Sequence, residues 1–330
     1  MQRWRGLSDV PAGFGPSVVT IGNFDGVHRG HRMVLGRMVA DAHAAGGSSV
    51  AVTFDPHPAR IHRPDEAPPL ITGLADRLEL LEQTGLDAVL VITYTAEFAS
   101  TTAEDFVREY LVEGLGATTV VIGRDVRFGR DNAGDLATMV ALGGRHGFTV
   151  EVIEDVHGEV DPARRWSSTW VRELLAAGEV ADAALILGRP HRVRGVVVHG
   201  DARGRKLGFP TANLGPDSVG FVPADGVYSG WMRRVGHPAE APDGYLPVAI
   251  SVGTNPTFDG AGRRRVEAHV PGRTDLELYG EEVVLEFVTR LRPMWRFHSV
   301  DELVAQMHDD VDRTREALAR GPLVLGGAAD

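Results

Sequence analysis

The first half of the chain alternates between short apolar runs and longer stretches of helical periodicity. Ser17–Ile21, Ser49–Phe54, Ala88–Thr93, Thr118–Ile122 and Thr149–Ile153 are apolar runs of strand length. Between the first two, Met33, Val34, Met38 and Ala42 recur near helical spacing and predict a helix over His31–Ala45. Leu74–Gln83, Ala103–Val112 and Asp135–Arg145 read the same way, and the first of these stops at Gly85, a natural C′ residue. Strands alternating with helices predict an α/β domain with a parallel sheet covered on both faces. Ligands of such sheets bind beyond the carboxyl ends of the strands, where Gly22–His31 and Gly123–Arg130 fall.

The pattern changes near Leu187-Gly188-Arg189-Pro190. After it come β-rich runs at Val193–Val198, Gly226–Met232, Leu246–Val252, Arg264–Val270 and Val283–Val288, separated by turns rich in Gly, Pro and Asp. They predict a small antiparallel barrel. Val300–Leu318 is amphipathic and predicts a closing helix, and Gly321–Asp330 a frayed end. The boundary falls between 183 and 190, giving domains 1–186 and 187–330. No internal repeat, coiled coil or interface stripe marks an oligomer.

Composition narrows the classes. At 330 residues, with 43% hydrophobic and 24% charged, each half has material for a core. A net charge of -11 without a dense Lys/Arg block argues against nucleic acid as a partner. The absence of cysteine excludes disulfides and thiolate metal sites. No apolar run reaches membrane-spanning length and no signal-like segment opens the chain, so the expected location is cytoplasmic.

Chemistry concentrates in a few motifs. "GNFDGVHRGH", Gly22–His31, follows a strand and opens a helix. Its glycines let backbone N–H groups approach an anion, and His28 and His31 can donate to phosphate oxygens. A surface His pair or a metal site are the alternatives, though zinc would need a third ligand that no cysteine supplies. In "RWSSTWVREL", Ser167, Ser168 and Thr169 stand where a helix begins, with Arg172 placed in its first turn. Simple N-capping is one reading, and a bound phosphate offsetting Arg172 against the helix dipole is the other. "FDPHP", Phe54–Pro58, and "GRDVRFGRDNAGD", Gly123–Asp135, follow strands and read as connectors or as ligand loops. Phe54 and Phe128 could stack on a flat ring or simply pack in the core.

In the second half, "HGDARGRKLGFPTANL", His199–Leu214, is glycine-rich but does not fit a Walker A loop. Thr211 and Asn213, two apart, are hard oxygen donors suited to Mg²⁺ with phosphate, or they belong to a plain turn. "RVEAHV" alternates and sets Glu267 and His269 on one face, where Glu267 is a general base or an exposed strand residue.

Residues 17–175, through "GNFDGVHRGH", "FDPHP", "GRDVRFG" and "SSTWVREL", resemble the adenylyltransferase module of bacterial bifunctional riboflavin kinase/FMN adenylyltransferases, or FAD synthetases. Residues 188–318, through "GRKLGFPTANL", "PADGVYSG", "SVGTNPTF", "VEAHV" and "LYGEEVVLEF", resemble their riboflavin kinase module. The resemblance implies a Rossmann-like nucleotidyltransferase domain followed by a riboflavin kinase-like barrel. In the first it implies ATP at Gly22, Asn23, Phe24, His28, His31, Ser167, Ser168, Thr169 and Arg172. It places FMN near Phe54, Pro56, His57, Pro58, Asp125 and Phe128. In the second it implies Mg²⁺-ATP at Thr211 and Asn213, phosphates among Gly200, Gly204, Lys206 and Gly208, and Glu267 as base on riboflavin. The activities implied are riboflavin to FMN and FMN to FAD; alternatives are one active module or a non-catalytic flavin binder. Trp166, Trp170, "PGRTDLEL" and "RPMWRF" depart from the family pattern.

Overall fold

Alternation along the N-terminal strands sorts their side chains onto two faces of one sheet. The computed structural model describes residues 1–154, 156–157, 161, 163–200, 203–254 and 264–321, without the side chains of Arg203 and Lys206. It divides into two units, residues 1–68 with 74–166, and residues 69–73 with 167–330.

In the first unit, β1 (Gln2–Trp4), β2 (Ser17–Ile21), β3 (Ser48–Asp55), β4 (Ala88–Thr93), β5 (Ala117–Gly123) and β6 (Thr149–Ile153) form one sheet. Their order is β1-β4-β3-β2-β5-β6 and every pairing is parallel. Val19, Val50, Val52 and Leu90 face one core with Leu111 and Met139. Val18, Ala51, Val89 and Val91 face the other with Leu35 and Met38. This is the doubly covered sheet that the pattern predicts. Two details differ. The three-residue β1 adds an edge strand that periodicity cannot detect. The helix expected over Ala103–Val112 is α-helical only over Ala103–Phe106, then widens into π turns to Gly114, where Leu115 N–H donates to Tyr110 C=O.

In the second unit, helices Ser168–Ala177 and Val180–Leu187 precede β7 (His191–Val198), β8 (Thr211–Leu214), β9 (Gly226–Arg234), β10 (Tyr245–Thr254), β11 (Arg264–His269) and β12 (Glu282–Arg292). These strands close into a barrel in the order β10-β11-β8-β7-β12-β9, antiparallel throughout. Val193, Met232, Val248, Ile250, Leu285 and Phe287 are fully buried in its core. The helix Val300–Leu318 is tied to β12 by a two-pronged ion pair. Arg292 Nε and Nη2 lie 2.8 and 2.7 Å from Asp310 Oδ1 and Oδ2, both side chains almost wholly buried. Sequence pattern alone favours a turn for Thr211–Leu214, but these residues form a barrel strand. In the expected frayed end, residues 322–330 lie outside the described residues, as do 201–202 of the glycine-rich stretch and 255–258 of "SVGTNPTF".

Candidate active sites

The helix Arg29–Ala44 begins at His28, its N-cap, whose Nδ1 accepts the His31 backbone N–H at 3.3 Å. A ring nitrogen that accepts carries no proton, so the neutral His28 imidazole keeps its hydrogen on Nε2. The His31 ring stacks on His28 with centroids 3.7 Å apart. Burial pushes the His31 pKa down to about 4, against the pull of Asp25. His31 Nδ1 is buried and has no hydrogen-bond partner. The two imidazoles are therefore fixed, close and neutral, and can donate to an anion.

The loop before them is strained. Phe24 and the fully buried, β-branched Val27 hold φ of 47° and 38°, in the left-handed region. Phe24 faces inward, its ring edge-on to His31 at 5.4 Å. It thus supports the motif from below, as a core residue.

Gly22 and Asn23 line a cavity of about 720 Å³ together with Phe54, Pro58, Asp125 and Phe128. Six expected site residues from three strand ends, those of β2, β3 and β5, are thus brought together. Pro56 and His57 are not part of that lining; His57 Nδ1 accepts the Ala59 N–H at 3.2 Å. The wall also carries Tyr94, Phe98 and Phe106, which sequence reasoning missed. Phe54 and Tyr94 pack edge-on at 5.5 Å, and His62 Nε2 lies 2.7 Å from the Tyr94 hydroxyl. The volume and aromatic lining suit a flat ring system. Arg77 was missed too. On the helix Leu74–Glu82 it reads as a solvated position, yet it is 2% exposed and reaches the ends of β2 and β3.

Within the second unit, Ser167 caps the helix Ser168–Ala177 and accepts the Trp170 N–H at 3.2 Å. Arg172 lies just past the first turn, not in it, and its Nε donates to Pro69 C=O at 2.8 Å. Past the first turn, Arg172 stands clear of the positive end of the helix dipole, which therefore gives little reason for an anion beside it, contrary to the sequence expectation.

In the barrel, strand register builds the candidate kinase site. Asn213 on β8 pairs with Glu267 on β11, and Thr211 with His269. Residues two apart share a face, so Thr211, Asn213 and Glu267 converge. Thr211 Oγ1 donates to Glu267 Oε2, and Asn213 Nδ2 to Thr211 Oγ1, each at 3.4 Å. Gly200 must be glycine here, because a Cβ would meet the Asn213 amide at 2.6 Å. Gly204 lies within the short helical turn Arg203–Lys206 and Gly208 follows it, with φ of 86°. His269 donates from Nδ1 to Pro210 C=O at 2.9 Å and steadies the strand entry. Burial lowers its pKa. Among the described residues no group of three or more His, Cys, Asp or Glu is placed to hold a metal. Thr211 and Asn213, with one carboxylate beside them, suit a Mg²⁺ ion that takes most of its ligands from phosphates and water.

A two-module enzyme of phosphorus-group transfer is the class that this sheet, this barrel and their two polar clusters define. The FAD synthetase family model matches residues 12–169 and the riboflavin kinase family model residues 187–318. The bifunctional riboflavin kinase/FMN adenylyltransferase of Escherichia coli K12 is 36% identical over 91% of this chain and 92% of its own. That of Pseudomonas fluorescens is 36% identical over 97% and 98%. A Streptococcus pneumoniae crystal structure named as a macrolide-efflux protein covers 95% of this chain and 98% of its own, with a TM-score of 0.80 and 31% identity. The chain belongs to the bifunctional riboflavin kinase/FMN adenylyltransferase family. No helix among the described residues is long and apolar enough to cross a membrane.

Proposed function

We propose that the barrel phosphorylates riboflavin and that the N-terminal unit adenylylates the resulting FMN. In the barrel, the riboflavin 5′-hydroxyl oxygen attacks the γ-phosphorus of ATP, the bond to the β,γ-bridging oxygen breaks, and ADP leaves. Glu267 accepts the hydroxyl proton. Thr211 and Asn213 hold Mg²⁺, which when bound neutralises phosphate charge. Gly200, Gly204, Lys206 and Gly208 surround the phosphates. In the N-terminal unit, an FMN phosphate oxygen attacks the α-phosphorus of ATP and pyrophosphate leaves. His28 donates from Nε2, and His31 stabilises the growing charge beside it. FMN occupies the aromatic cavity with its ring near Phe54 and Phe128. The Ser167-Ser168-Thr169…Arg172 segment enters as an ATP-binding element through the family resemblance alone. Both steps draw on ATP, which accords with a cytoplasmic location.

The observation that carries the reading is the convergence of Thr211, Asn213 and Glu267 through the register of β8 and β11. The test is to incubate the protein with riboflavin, ATP and Mg²⁺ and separate the flavins by chromatography over time. FMN should rise first and FAD follow. His28→Ala should abolish FAD and spare FMN formation; Glu267→Ala should lose FMN formation yet convert supplied FMN. Loss of both activities in either folded variant would refute the two-site assignment.

A further inference from the structure

We infer that Arg77 is a positioning residue that sets the nucleotide loop and the flavin loop of the N-terminal unit relative to each other. The inference rests on the adenylyltransferase reading above. Arg77 stands on the helix Leu74–Glu82, inside the first unit, and is among its largest fully buried side chains. Its Nη1 donates to Asn23 C=O at 2.9 Å and its Nη2 to Phe54 C=O at 3.0 Å. Asn23 belongs to "GNFDGVHRGH" and Phe54 opens "FDPHP", so one planar guanidinium spans the two loops. Asp55, the residue after Phe54, lies 3.8 Å from Nη2.

The charge is costly to keep there. Burial lowers the Arg77 pKa, and the nearby carboxylates Asp25 and Asp55 oppose that shift. A buried charge contributes little net stability compared with an apolar side chain of similar volume. What the fork supplies instead is geometry, two hydrogen bonds in a fixed plane.

That geometry is needed because the nucleotide loop is strained at Phe24 and Val27. Strained backbone persists only where its surroundings over-determine it. Asn23 C=O, one residue before Phe24, is held from two sides, by Arg77 and by Thr53 Oγ1 at 3.3 Å. The preceding Gly22 N–H is fixed to Val52 C=O at 3.0 Å. Of these contacts, Arg77 alone also reaches the flavin loop. Without it the two loops are joined only through β3, by Thr53 and Val52, their carbonyls lose the shared donor, and the FMN phosphate is held less well in line with the α-phosphorus. Small misplacements of reacting groups are enough to cost large factors in rate.

The experiment compares Arg77→Met, of similar length and uncharged, with Arg77→Lys, charged but with one donor head. Both substrates are varied in FAD formation, well below the unfolding midpoint. Riboflavin phosphorylation by the same molecules serves as the internal control. Arg77→Met should raise KM for both FMN and ATP and lower kcat/KM at least tenfold, with FMN formation unchanged. Arg77→Lys should fall between it and wild type, and decides the matter if the Met variant does not fold. FAD formation within twofold of wild type in the folded variant would overturn the inference. A change confined to one substrate would overturn it as well. Wild-type protein that makes FMN but no FAD would instead overturn the adenylyltransferase reading itself.

Discussion

His31 should make the N-terminal unit sensitive to mild acid, by an amount that follows from its burial. Its pKa is about 4 in the folded protein, against 6.5 for a free imidazole. The folded state therefore binds fewer protons than the unfolded one between those values, and stability falls as pH drops through that window. A tenfold difference in proton affinity between the two states corresponds to about 1.4 kcal/mol. Linkage over this window removes about 2 kcal/mol by pH 5 and about 3 kcal/mol by pH 4. Well above pH 6.5 the imidazole is neutral in both states and contributes no slope. The assay is unfolding in urea at several pH values, followed by hydrogen exchange of the β2 and β3 amides, which reports this unit separately from the barrel. His31→Asn removes the titrating group while other carboxylates and histidines titrate as before. The wild type should lose about 2 kcal/mol more than the variant between pH 7 and pH 5. Equal losses in the two proteins would show that His31 is not desolvated, and the account of a fixed, neutral imidazole would fall.

Other expectations can be checked alongside it. Gly30→Ala places a Cβ 3.1 Å from His28 Nδ1. It should cut FAD formation about tenfold or more while thermal stability holds or rises, since Ala favours the helix by about 1 kcal/mol; unchanged FAD kinetics would contradict the packing. Asp310→Ala leaves the Arg292 guanidinium buried and unpaired. It should destabilise the barrel unit by about 3–5 kcal/mol in denaturant titrations, and a loss below about 1 kcal/mol would mean water reaches that site. Thr211→Val keeps the strand and removes the hydroxyl, so riboflavin phosphorylation should fall at least tenfold at equal Mg²⁺; FAD formation from supplied FMN should be unaffected.

Much of the architecture was legible because it is carried by local pattern. Ala88–Thr93, Thr149–Ile153 and Val300–Leu318 occupy the segments that periodicity assigns to them. The rest depends on partners distant in sequence. Thr211–Leu214 is polar, short and framed by Gly208, Pro210 and Gly215, so only pairing with β11 and β7 makes it a strand. β1 is a strand because β4 offers an edge. The site divides the same way. Glycines, histidines and the Thr/Asn pair announce themselves by type and spacing. Arg77 does not, since an arginine in an amphipathic helix usually meets solvent and only tertiary contacts reveal its two carbonyl partners. Tyr94, Phe98 and Phe106 resemble ordinary core aromatics until the cavity they border is seen.

The closure of the barrel bears on how truncated forms of this chain behave. β12 pairs with β7 on one side and β9 on the other, so it is the stave that completes the ring. A product ending before Glu282 would leave both neighbours with rows of unpaired amide and carbonyl groups. Such rows are templates for pairing with another chain. Premature termination ahead of this strand thus threatens more than the kinase: it turns a surface without free edges into one with two, and the fragment becomes a candidate for aggregation or proteolytic clearance. The parallel sheet of the first unit ends at β1 and β6 whatever follows it, so its own edges are the same in the fragment as in the full chain.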